Sequence, residues 1–82
     1  MQTRIAIVGV IIEDTDSSIE VNKILHSYSE FILGRLGLPK VDGTINVISV
    51  VVRAPHDTIS ALTGKLGNLK GVSAKAVYSK AN

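Results

Sequence analysis

The stretches RIAIVGVII (residues 4–12) and TINVISVVV (residues 44–52) decide the fold. Each reads as a β-strand that is apolar on both faces. In the first, Ile5, Ile7 and Ile11 point one way, and Ala6, Val8, Val10 and Ile12 the other. In the second, Ile45, Val47 and Val51 oppose Ile48, Val50 and Val52. Side chains alternate along a strand with period two, so a strand apolar on both faces needs cover on both. The remaining sequence supplies two helices, which cover one face. The other is left for a second subunit or a ligand. We assign that free face, and with it an oligomer interface, to Ala6, Val8 and Val10 with Ile48, Val50 and Val52.

Between and beyond these strands the chain alternates in kind. Glu13-Asp14-Thr15-Asp16-Ser17 offers several helix N-cap candidates, and Ser17 with Glu20 has capping-box spacing. Val21, Leu25, Tyr28 and Ile32 then form a helical stripe, with Asn22, Lys23, Ser27 and Glu30 largely on the polar side. Gly34, Gly37 and Pro39 disfavour a helix over residues 31–38, which read as a short, irregular edge strand. Lys40-Val41-Asp42-Gly43 is a turn, because Asp-Gly is a strong hairpin signal. After the second long strand, Pro55 pre-sets the first turn of another helix. Its apolar stripe is Ile59, Leu62, Leu66 and Leu69, and Gly67 is the expected C-terminal cap. Gly71 turns the chain into a last strand over residues 72–80.

The order is β-α-β-β-α-β, which implies a four-stranded antiparallel sheet of ferredoxin-like (ACT-like) α+β type with two helices on one face. In that topology the first and third strands are central, and these are the two with apolar character on both sides. Pattern and topology therefore agree.

Eighty-two residues make one small domain, residues 1–82. A domain of this size buries only about 60% of its unfolded surface and gains much from association. The chain has no cysteine, so disulfides, thiolate metal sites and a cysteine nucleophile are excluded. No apolar run approaches the roughly 20 residues needed to span a bilayer, and no signal-peptide pattern opens the chain. A cytoplasmic, non-membrane protein is expected. The formal net charge is +2. Acidic residues gather early, at Glu13, Asp14, Asp16, Glu20, Glu30 and Asp42. Arg53, Lys65, Lys70, Lys75 and Lys80 gather late, against Asp57 alone. Such a basic face can attract phosphates or an acidic protein, or simply keep a small domain soluble and blunt an edge strand.

No catalytic constellation is legible, and an enzyme is not expected. An acylphosphatase-type enzyme, a catalytic use of this fold, needs a glycine-rich phosphate cradle after the first strand. Here Glu13, Asp14 and Asp16 stand in its place and would repel a phosphate. His26 and Glu30, four apart on the first helix, share a face and make either a polar contact or a weak metal pair. Three or four convergent ligands are needed for a resident metal, so none is expected, nor any cofactor. Gly64, Gly67 and Gly71 match a phosphate loop only by number. The aromatic residues Tyr28, Phe31 and Tyr78 form no base-stacking motif, which disfavours nucleic acid as a partner. The best candidate for ligand or partner contact is Gly34-Arg35-Leu36-Gly37-Leu38-Pro39. Its glycines expose backbone donors, and Arg35 offers a planar fork for a carboxylate or phosphate. The same segment also reads as an edge strand roughened by glycine against aggregation.

Two blocks carry a family resemblance. One is Val21-Asn22-Lys23-Ile24-Leu25-His26, then Ser29-Glu30 and Gly34-Arg35-Leu36-Gly37-Leu38-Pro39. The other is Asp57-Thr58-Ile59-Ser60-Ala61-Leu62-Thr63-Gly64-Lys65-Leu66-Gly67 followed by Gly71-Val72. Together they resemble the small stand-alone proteins called iron-only hydrogenase system regulators, over nearly the whole chain. The resemblance implies an ACT-like fold, self-association and a regulatory role. Amino-acid sites of ACT domains and nickel sites of nickel regulators do not carry over. Gly9 lies mid-strand rather than at the strand–helix junction, and the nickel ligands are missing. The expected function is a non-enzymatic regulatory module that self-associates and meets a small effector or a protein partner near Arg35. A purely structural oligomerisation domain and a DNA-associated regulator are the alternatives.

Overall fold

Strand β1 (Arg4–Ile12) lies at the centre of the sheet, paired with one neighbour along its full length and with the other over Ala6–Ile12. The computed structural model describes residues 2–80. In it β1 pairs antiparallel with β3 (Asn46–Ala54) on one side and β4 (Val72–Tyr78) on the other. Strand β2 (Ile32–Leu38) pairs antiparallel with β3 and closes the edge, giving the order β2-β3-β1-β4. Helices α1 (Ser18–Ser27) and α2 (His56–Gly67) make the crossovers. This is the ferredoxin-like arrangement expected from the alternation of patterns.

One face of the sheet forms the core with both helices. Ala6, Val8, Val10 and Ile12 of β1 and Ile48, Val50, Val52 and Ala54 of β3 pack with Val21, Leu25 and Tyr28. Ile59, Leu62 and Leu66 of α2 and Val72 of β4 complete it. The helical stripes hold for Val21, Leu25, Ile59, Leu62 and Leu66, whereas Tyr28 caps α1, Ile32 opens β2 and Leu69 lies beyond α2. The assignment of the two sheet faces is reversed. Ala6, Val8, Val10, Ile48, Val50 and Val52, expected at the oligomer interface, are each 6% exposed or less and lie under the helices. The free face belongs to the other parity, with Ile7 at 48%, Ile11 at 45% and Val77 at 70% exposure. Alternation fixes which residues share a face. The free parity also carries Ser49, Arg53, Ser73 and Lys75, polar groups that would lose water under a helix, and this was the signal for the open face.

The junctions also differ in detail. The Ser17–Glu20 capping box does not form, and Ser17 makes no side-chain cap bond. A short 3-10 turn, Thr15–Ser17, leads into α1 instead, with Asp14 Oδ1 accepting from the Asp16 backbone N–H at 3.0 Å. Ser17 Oγ is free to donate to the Lys70 carbonyl at 2.7 Å. Pro55 occupies the N-cap of α2 rather than its first turn, and Gly67 ends that helix with Asn68 as the cap. Strand β3 starts at Asn46 rather than Thr44. The preceding loop closes on itself through Val41 N–H to the Ile45 carbonyl and Thr44 N–H to the Asp42 carbonyl. A register shift between Ile32 and Gly34 makes β2 irregular, as the glycines suggest.

Candidate functional site

Two surfaces stand out, and one is the cleft where α1 fails to cover the β2 edge. Ser18 and Asn22 lie four apart on α1 and so share a face. Arg35 and Gly37 pair with Val50 and Ile48, which places them on the helix side of the sheet. Asn46 opens β3 opposite Ile12. These residues converge on a cleft of about 200 Å³, walled on its apolar side by Ile12, Pro39 and Ile48, with Leu38 and Val47 at its rim. Gly37 contributes to the opening, since a Cβ built there would meet nothing within 4 Å.

A chain of hydrogen bonds organises the polar wall. Arg35 Nη2 donates to Asn22 Oδ1 at 3.0 Å, and Asn22 Nδ2 donates to the Ser18 carbonyl at 2.9 Å. Asn46 Nδ2 donates to Ser18 Oγ at 3.3 Å, while its Oδ1 accepts from the Lys40 backbone N–H at 2.8 Å. Among the described residues, the ion pairs are Lys23–Glu20 and Lys70–Asp14, with His56 Nδ1 3.9 Å from Asp57 Oδ1, and none involves Arg35. The guanidinium is thus oriented by a neutral amide and keeps its charge uncompensated. Ser18, Asn22 and Asn46 were not singled out as site residues from the sequence. The i, i+4 spacing of Ser18 and Asn22 was the available signal, but it points nowhere until β2 is placed beside it.

The other expected contact residues divide. Arg35 and Gly37 meet in the cleft, whereas Gly34 pairs with Val51 and faces the opposite side of the sheet. His26 lies in an adjoining open groove along α1 with Ile19 and Lys23. Glu30 sits in the 3-10 turn Ser29–Phe31, exposed and outside both concavities. Among the described residues, no group of three or more His, Cys, Asp and Glu side chains could hold a metal ion. No helix among them is long and apolar enough to cross a membrane.

The second surface is the free face of the sheet. Register places its residues in rows across the strands. Leu38, Val47 and Ile11 make one apolar row, and Val51, Ile7 and Val77 another. Leu36, Ser49, Gly9 and Lys75 lie between them. A depression forms around Gly9, Ser49 and Lys75, where the glycine carries no side chain. Arg53 and Lys75 supply charge at the margins of this otherwise apolar surface.

Residues 4–76 match the TM1266-like family, described as "Iron-only hydrogenase system regulator, putative". Among solved structures, the chain is similar to the uncharacterized protein TM1266 from Thermotoga maritima. The two are 36% identical with a TM-score of 0.90, over 96% of this chain and 100% of that one. It is also similar in fold to an unknown protein from Galdieria sulphuraria, at 16% identity and a TM-score of 0.65. That match covers 99% of this chain and 48% of the other. A formyltetrahydrofolate deformylase from Pseudomonas putida KT2440 shares the fold at 13% identity and a TM-score of 0.62. It covers 89% of this chain but only 28% of the deformylase. No curated protein matches the chain.

Proposed function

Since the chain belongs to the TM1266-like family of iron-only hydrogenase system regulators, we propose that it is a regulatory module without catalysis. It works as a homo-oligomer joined through the free face of its sheet and responds to a small effector at the Arg35 cleft. The exposed apolar rows of that face carry the reading. Ile7, Ile11, Leu36, Leu38 and Val77 are all exposed on one side of a single sheet. Four strands of 7 to 9 residues, about 4.8 Å apart, span roughly 500 Å². Burying such a face contributes up to about 12 kcal/mol per subunit before association costs are subtracted. An apolar sheet face of this extent is unusual on a monomer.

Sedimentation equilibrium at micromolar concentration tests the assembly. A dimer or larger species is expected, and a monodisperse monomer would sink the reading. The Arg35–Asn22 hydrogen bond favours a second reading. In it Arg35 only ties β2 to α1, and the module is a structural oligomerisation domain with no effector. The two readings part on whether the cleft binds anything.

A further inference from the structure

Resting on the effector reading above, we infer that the cleft between α1, β2 and β3 takes a small monocarboxylate that carries a short apolar tail and no α-amino group. Three features of its lining select that chemistry. Arg35 is the one charged side chain among the described residues that form it, and no carboxylate among the described residues pairs with it. A guanidinium presents a planar fork whose two parallel donors match a carboxylate. A single positive charge balances a monoanion, whereas a phosphate dianion would leave a net negative charge in the cleft.

The remaining polar groups decide against an α-amino acid. Asn22 Oδ1 accepts from Arg35, Asn46 Oδ1 from the Lys40 backbone, and the Ser18 carbonyl from Asn22 Nδ2. Each of these acceptors already takes one hydrogen bond, and among the described residues no aspartate or glutamate lines the cleft. An ammonium brought here would find no counter-charge and would lie beside the like charge of Arg35. On the opposite wall, Ile12, Pro39 and Ile48 provide apolar surface for a tail. The volume of about 200 Å³ is below that of pockets for drug-sized ligands, which limits the tail to a few carbons.

The test is a titration of the protein followed by amide chemical shifts, with butyrate, 2-oxobutyrate, 2-aminobutyrate and inorganic phosphate as probes. Butyrate or 2-oxobutyrate should give saturable shifts centred on Ser18, Asn22, Arg35, Gly37 and Asn46. 2-Aminobutyrate should bind at least about tenfold more weakly. Arg35→Ala should weaken carboxylate binding by at least about tenfold. Gly37→Val, which keeps Arg35 and places a strand-favouring side chain in open space, should abolish binding by filling the cleft. Tighter binding of phosphate or 2-aminobutyrate than of the two carboxylates would overturn the inference. So would saturation by no probe, or carboxylate shifts that survive both substitutions. Sedimentation of the same samples keeps the outcomes separable. An intact oligomer that ignores carboxylates refutes the ligand assignment alone, whereas a monomer refutes the assembly.

Discussion

Gly71 shows how one residue can fix a junction. Its φ is +69°, a region that L side chains rarely adopt, and a Cβ there would lie 2.7 Å from the Asp14 Cβ and 2.9 Å from the Asp14 nitrogen. The close approach ties the end of β1 to the start of β4. Glu13 N–H donates to the Gly71 carbonyl at 2.7 Å, and Lys70 Nζ lies 3.7 Å from Asp14 Oδ2. Gly71→Ala should therefore destabilise the fold by about 2 kcal/mol or more, read as a lower urea midpoint. Gly64 provides the contrast. It lies exposed within α2, with no atom within 4 Å of a built Cβ. Gly64→Ala should stabilise the protein by about 1 kcal/mol in the same measurement. The turn at Gly71 is legible in the sequence, because a glycine after a helical stripe is an expected stop. The contact with Asp14 is not, because it joins residues 57 positions apart.

Elements reveal more of themselves in sequence than surfaces do. Helix α1 and helix α2 follow from spacings of three and four that hold in the structure, with Val21, Leu25, Ile59, Leu62 and Leu66 all buried. Strands β1 and β3 are equally plain, but their faces are not. Ile7 and Val8 both belong to largely apolar sets, but the set of Ile7 also carries Gly9, Ser49, Arg53 and Lys75, the signal for an open face. Two substitutions separate the faces by measurement. Val50→Ala, at a position with no exposure, should cost about 2 kcal/mol of stability in urea while leaving the oligomer intact. Ile7→Lys, on the free face, should dissociate the oligomer in sedimentation while circular dichroism retains the native helix and strand content. If Val50→Ala dissociated the assembly and Ile7→Lys did not, the interface would lie elsewhere. The Arg35 cleft was half legible for a related reason. Arg35 and Gly37 stand two apart on β2 and share a face, so their union follows from strand period alone. Asn22 and Asn46 join them only because α1 lies beside β2 and leaves its edge uncovered.

At the scale of the molecule, the small domain and its apolar free face predict that stability depends on assembly. The thermal midpoint should rise with protein concentration, as mass action requires when the oligomer is the stable form. A midpoint constant over a hundredfold dilution series would contradict this. Salt should act oppositely on the two proposed properties. Raising ionic strength from about 0.05 M to about 0.5 M should weaken carboxylate binding at Arg35 through screening. It should leave association through Ile7, Ile11 and Val77 unchanged or stronger, since apolar burial is not screened. The oligomer mass and carboxylate affinity, followed across the same salt series, check both expectations.

The sequence by itself determined the order of elements, the central place of β1 and β3, the helical stripes that fill the core and the family to which the blocks point. All of these rest on local periodicity or on short-range chemistry, which a chain carries without being folded. The tertiary structure showed which parity of the two central strands meets the helices, a choice that Ser49 and Arg53 on the open parity only hinted at. It alone brought Ser18, Asn22, Arg35 and Asn46 to one cleft, and it replaced the capping box at Ser17 with a bond to Lys70. Each of these depends on where a helix lies over the sheet. That position is set by the joint packing of Val21, Leu25, Ile59, Leu62 and Leu66 against Val8, Val10, Val50 and Val52, side chains far apart in the chain that meet only in the core.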